Sequence, residues 1–172
     1  MQHHLLYDGQ TIRWNAQVFR ATSGMPGFQS IAEQCNQRDA GPIPSGFYRV
    51  FLTDHGQAKA NMDTCSLIPA WGIQTIPRGE QAKECEPNWA NWGFNRVRLE
   101  PANAQTKSHC APVMRDGFYI HDSSKGFSHG CIEVEGRFFF VLRDFAKSQS
   151  RPRLILKVEY KVGQATNGGT KQ

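Results

Sequence analysis

Over most of its regular stretches the chain alternates apolar and polar residues, the period-two pattern of half-buried strands. Leu5-Leu6-Tyr7 and Thr11-Ile12-Arg13-Trp14 flank Asp8-Gly9, a pair suited to a tight type I′ turn, so the chain is predicted to open on a β-hairpin. Gln17–Ala21 reads as a third strand, ended by Ser23-Gly24. Met25 to Ser45 is polar and broken by Pro26, Pro42 and Pro44, with a short helix predicted around Ser30–Gln34. Phe47–Leu52 sets Phe47, Arg49 and Phe51 on one face and Tyr48, Val50 and Leu52 on the other. Phe94–Glu100 and Gly117–His121 read as further strands, which puts His121 at a strand end. In Arg153–Tyr160, Leu154, Leu156 and Val158 alternate against Ile155, Lys157 and Glu159. The period becomes helical once, where Phe138, Val141, Leu142 and Phe145 fall at i, i+3, i+4 and i+7. Residues 53–92 carry Trp71, Trp89 and Trp92, read as core rather than as an exposed stacking surface. The pattern predicts a mainly β, α+β fold with short helices. It forms one domain over residues 1–162, with a polar, Gly-rich tail at 163–172 expected to be disordered.

A length of 172 residues suits a single domain, and 39% apolar residues with 11% aromatics suffice for a core. The net charge of +5 favours an anionic partner such as a cell-wall polymer. The positive charges are scattered, with no run of four Lys/Arg, so the basic surface is read mainly as a solvated one and no nucleic acid is expected. No apolar run reaches membrane-spanning length. Met1-Gln2-His3-His4-Leu5-Leu6 lacks a basic region followed by an apolar one, so it is not read as a secretory signal.

Of the five cysteines, none forms a Cys-x-x-Cys pair. Setting Cys131 aside leaves Cys35, Cys65, Cys85 and Cys110, which can pair in three ways; the sequence does not choose among them or against four reduced thiols. Disulfides would imply an oxidising place of action.

The chemistry concentrates in Tyr119–Glu133, where one cysteine lies near two histidines among small residues. A thiol is a weak nucleophile until a base takes its proton. Cys131 is the candidate nucleophile and His121 the base. Asp122 is the candidate orienter of His121, through its side chain or its backbone carbonyl. Gly130 and Cys131 amides are candidate oxyanion donors, with Ser128 and His129 in support. A zinc site built from His121, His129, Cys131 and His109 is the competing reading, but the spacing is not a standard one and no metal or other cofactor is expected. A purely structural Ser-His-Gly-Cys is the other alternative.

Ser128-His129-Gly130-Cys131-Ile132, preceded by Tyr119-Ile120-His121, resembles the active-site signature of L,D-transpeptidases of the YkuD type. Ala21-Thr22-Ser23-Gly24 and Gly41-Pro42-Ile43-Pro44-Ser45-Gly46-Phe47-Tyr48 are similar to that family's upstream strand pair. The resemblance implies a YkuD-like β-sandwich or barrel with a helix after the catalytic cysteine. It departs in two places. Only six residues, Asp122–Phe127, separate His121 from Ser128, fewer than is usual in that family, and Glu133 stands where many members carry an arginine. The short spacing looks most like the antibacterial effectors delivered by type VI secretion. That branch implies a cysteine enzyme acting on peptidoglycan stem tetrapeptides. It would cleave the bond between meso-diaminopimelate and D-Ala, or exchange D-Ala for other D-amino acids. It also implies a cognate immunity protein, synthesis in the cytoplasm and action in the periplasm of target bacteria. An ordinary 3-3 cross-linking enzyme and an inactive wall-binding domain are the alternatives. A cysteine peptidase of the NlpC/P60 kind is disfavoured because there the cysteine precedes the histidine.

Overall fold

The computed structural model describes residues 1–172. Its strands are β1 (Leu5–Tyr7), β2 (Thr11–Trp14), β3 (Gln17–Ser23), β4 (Gly46–Phe51), β5 (Asp54–Gln57), β6 (Ala60–Asn61), β7 (Ser66–Leu67), β8 (Ile73–Thr75), β9 (Asn95–Pro101), β10 (Tyr119–His121), β11 (Ile132–Val134) and β12 (Arg153–Val158). The α-helices are α1 (Glu86–Trp89), α2 (Ala104–Lys107) and α3 (Arg137–Ser148). Eight strands run in the order β10-β11-β3-β2-β1-β12-β4-β9, and the β9–β10 pairing closes them into a barrel. Closure leaves no free edge in the ring. β8 and β5 extend the sheet outward from β9. Two pairs are parallel, β1 with β12 and β10 with β11; the other barrel pairs are antiparallel.

The predicted alternation is what fills the barrel. Leu5, Tyr7, Ile12, Phe19, Val50, Val97, Leu99, Ile120, Ile132, Leu154 and Leu156 are buried in one apolar cluster. α3 joins that cluster through Phe138, Phe139 and Leu142, with Val141 and Phe145 packed at its border. Edge-on contacts of Phe138 with Phe19 (5.3 Å) and of Phe145 with Trp14 (5.2 Å) fix the helix on β2 and β3. Phe140, on the opposite face, is exposed. No helix is long and apolar enough to cross a membrane.

Several expectations change. The opening hairpin forms, but positive φ falls on Gly9 alone, so the Asp8-Gly9 pair does not make a type I′ turn, which needs positive φ at both central residues. Instead Asp8 Oδ1 accepts from the amides of Gln10 and Thr11. No helix forms at Ser30–Gln34. There Gln29 Nε2 donates to the carbonyls of Gly24 and Gly126, and Gln34 Nε2 to that of Phe28, side-chain bonds that hold the loop open. The helix expected after Cys131 forms as α3, with strand β11 between the two.

The tail is the largest correction. Residues 163–172 are not disordered: they run back along β3. Thr166 exchanges backbone hydrogen bonds with Ser23 and Gln29, and its hydroxyl donates to the Ser23 carbonyl (2.6 Å). The Gly168 amide donates to Thr22 Oγ1, and a Cβ there would lie 2.1 Å from the Gln10 carbonyl oxygen. The glycine that suggested disorder is what lets the backbone approach so closely. Thr166 and Thr170 are buried.

Candidate active site

β9, β10 and β11 lie side by side, and their register builds the site. His121 is opposite Arg96 on one flank and Glu133 on the other; Tyr119 is opposite Arg98. Continuing the parallel β10–β11 register one residue back sets Cys131 level with Tyr119. Registered neighbours point to the same side of a sheet, and residues two apart share a face. Arg96, Arg98, Tyr119, His121, Cys131 and Glu133 therefore share the outer face, while Val97, Ile120 and Ile132 enter the core.

Two cavities meet at the thiol. One, of about 290 Å³, is lined by Cys65, Asn88, Trp89, Asn91 and His121. The other, of about 480 Å³, is lined by Arg38, Asp39, Met114, Arg115, Asp116 and Phe118. Trp92, His129 and Cys131 border both. Trp92 meets His121 edge-on at 5.5 Å. Each cavity has one wall tied by a disulfide: Cys65–Cys85 beside the smaller, and Cys35–Cys110, which links the 25–45 loop to the 108–117 segment, beside the larger. Cys131 is the free cysteine.

Burial controls both reactive groups. It pushes the Cys131 thiol up to about 11, opposed by the Tyr119 backbone and the charges of Arg96, Arg98 and Arg115. It also holds His121 down to about 3, reinforced by Arg96, His129 and Lys125. At neutral pH the pair is therefore a thiol and a neutral imidazole.

The other sequence-predicted residues take different places. The Asp122 carboxylate accepts from the amides of Phe94 and Asn95 and from Asn95 Nδ2, fastening β10 to the start of β9. It does not orient His121, whose Nδ1 is buried with no hydrogen-bond partner, so neither the carboxylate nor the backbone carbonyl holds the ring. Ser128 turns to the main chain: its hydroxyl donates to the Cys131 carbonyl and accepts from the amides of Gly24 and, at 3.4 Å, Gly130. Ser23 Oγ donates to the same Cys131 carbonyl at 2.8 Å. These two serines fix the backbone that carries the thiol. Gly130 has φ +119°, and a Cβ there would lie 2.9 Å from Arg115 Nη2, so glycine is required beside Cys131. His129 is exposed at the rim, with Nδ1 3.2 Å from the Asp39 carbonyl oxygen. His109 is not brought to the cleft; it pairs with Glu33. Glu33, Cys35 and His109 do cluster, but the Cys35 sulfur is in a disulfide and has no thiolate to offer a metal.

Glu133 is the residue whose role the sequence misses. It is fully buried, and its carboxylate accepts from the Ser123 hydroxyl, the amides of Lys125 (2.9 Å) and Gly126 (2.7 Å), and Thr170 Oγ1 (2.6 Å). It organises the short loop after His121 and anchors the tail to it. Arg96 and Arg98 were legible as same-face residues of an alternating strand, but nothing local showed that the face belongs to the site.

The model of the Tlde1 domain family matches residues 17–155, most of the chain, while a comparison with curated proteins finds no match. The cleft described above lies on the barrel that this match covers. The chain therefore belongs to the Tlde1 domain family, a family of type VI secretion effector domains.

Proposed function

We propose that this chain is a peptidoglycan-modifying cysteine enzyme. It cleaves the meso-diaminopimelate–D-Ala bond of stem tetrapeptides and exchanges D-Ala for other D-amino acids, as an antibacterial toxin in the periplasm of target cells. The observation that carries the reading is the placement of the free Cys131 where two cavities meet, with His121 on the wall of one. Membership of an effector domain family supports the toxin role, and with it a cognate immunity protein in the producing cell. Two disulfides suit an oxidising compartment such as the periplasm.

In this reading His121 takes the thiol proton as Cys131 Sγ attacks the diaminopimelyl carbonyl carbon. The C–N bond to D-alanine then breaks, and His121 returns the proton to the leaving amine. The burial that lowers the imidazole's proton affinity weakens it as the base of the first transfer and strengthens it as the acid of the second. Water resolving the thioester releases the tripeptide; the amine of another D-amino acid gives exchange. Two cavities flanking one thiol leave room for a peptide on one side and an incoming amine on the other. Periplasmic expression in a Gram-negative host tests this. The wild-type chain should arrest growth and Cys131→Ala, equally folded, should not; a Cys131→Ala chain that is fully toxic contradicts the enzyme reading.

A further inference from the structure

Arg96 is almost wholly buried, yet no carboxylate lies within ion-pairing distance of it. Its Nε donates to Gln74 Oε1 (2.8 Å) and its Nη2 to the Ile68 carbonyl (3.1 Å), both neutral acceptors. Its guanidinium sits over the Tyr119 ring at 4.3 Å and the Trp92 ring at 4.6 Å. Arg98 also approaches the Tyr119 ring, at 5.1 Å, and the Trp71 ring, at 4.7 Å, but Arg98 has Glu100 as its partner at 2.7 Å. Arg96 is thus a buried strand cation with no carboxylate partner, and it stands opposite His121. A buried charge without a partner is costly, because the aromatic faces and neutral acceptors return only part of its lost hydration. Such a cost is tolerated where the charge has work in another state of the molecule.

We propose that Arg96 is the fixed counter-charge of this site, a positioning residue whose unmatched guanidinium stabilises the negative charge that develops at Cys131 Sγ during attack. The inference rests on Cys131 being the nucleophile. Two features fit this placement: after burial, the cation opposite His121 helps keep the ring neutral, and the same cation favours sulfur in its anionic form. Glu133, the registered neighbour of His121 on the other flank, cannot serve the anion; it carries the wrong sign, and its carboxylate is engaged by four donors. The remaining charged groups that bear on the thiol and the imidazole are Arg98, Arg115, Lys125 and His129. Arg98 is matched by Glu100. Arg115, also buried and bonded only to the carbonyls of Gln34, Gly41 and Pro42, borders the larger cavity and adds to the same field, while Lys125 and His129 lie toward the exposed rim.

Alkylation tests this without substrate. Under non-reducing conditions the other four cysteines are in disulfides, so iodoacetamide reads Cys131 alone. Arg96→Met should move the alkylation profile to higher pH and slow the reaction at pH 8.5 by about tenfold, the equivalent of about one pH unit in the thiol titration. Arg96→Lys, which keeps the charge, should stay within about threefold of wild type. A folded Arg96→Met with the wild-type profile overturns the proposal. If that variant does not fold, Arg96→Gln, which removes the charge but keeps an amide donor, decides: its alkylation profile should move to higher pH in the same way, and a folded Arg96→Gln with the wild-type profile overturns the proposal. A wild-type protein inert toward muropeptides would sink the enzyme reading while leaving these titrations interpretable, so the two failures are distinguishable.

Discussion

Cys131 and His121 line one cavity as a thiol and a neutral imidazole, and that pairing has consequences for stability as well as reactivity. The folded chain binds a proton at His121 far less readily than the unfolded chain does. The unfolded form therefore gains protons as pH falls below 6.5, and stability declines from there toward about 3. At the other extreme the unfolded thiol ionises near 9 while the folded one resists until about 11, so stability declines again across that window. Cys131→Ala should remove the thiol's share of the alkaline decline and leave the acid limb in place, which urea titrations at several pH values will show. An alkaline limb identical in the variant would mean that the sulfur is not buried as described. In muropeptide assays His121→Ala should be as damaging as Cys131→Ala, with His129→Ala milder because His129 stands at the rim. Loss at His129 with His121 dispensable would reverse the assignment of the base.

The strand and loop elements are tied by side chains with little local signature. Glu133→Ala leaves the Ser123 and Thr170 hydroxyls and two amides without their shared acceptor, at about 1–3 kcal/mol for each donor that water cannot reach. We expect a loss of about 3 kcal/mol or more in denaturant unfolding, together with faster amide exchange at Lys125 and Gly126; an unchanged unfolding midpoint would contradict the account of Glu133. What was legible in the sequence follows the same division. Strands β3, β4, β9 and β12 and helix α3 were readable because their alternation or helical period is the direct imprint of one buried face. Cys131 and His121 were readable because their chemistry is written in side-chain type and order. Asp122 was misassigned because a carboxylate after a histidine looks like an orienter, whereas in space it meets the amides of Phe94 and Asn95. The tail was misread because its bonds go to β3, to Gln29 and to Glu133, all far from it in sequence, and composition carries no trace of such partners. Arg96 could not be placed until the β9–β10 register set it opposite His121.

At the scale of the whole molecule, a closed barrel supplies the rigid face and two disulfides pin the loops that rise around it. The bridges close segments separated by 20 and 75 residues. Loop entropy alone assigns them about 3 and 4.5 kcal/mol. Reduction should therefore lower the melting temperature sharply, with Cys35→Ser/Cys110→Ser costing more than Cys65→Ser/Cys85→Ser. The second pair should also disturb the smaller cavity, since Trp89 Nε1 donates to the Cys65 carbonyl at 2.9 Å on its wall. Melting that is insensitive to reductant would contradict this account of the cleft. These features describe an effector-family barrel with a disulfide beside each cavity of its cleft.

The central claim, that Cys131 acts on the stem peptide, is tested most directly by mass spectrometry of tetrapeptide muropeptides incubated with the oxidised protein, with and without a second D-amino acid. The account predicts loss of the terminal D-alanine in its absence, appearance of the exchanged peptide in its presence, and neither product with Cys131→Ala. Muropeptides left unchanged by a folded wild-type protein whose Cys131 still alkylates would contradict it.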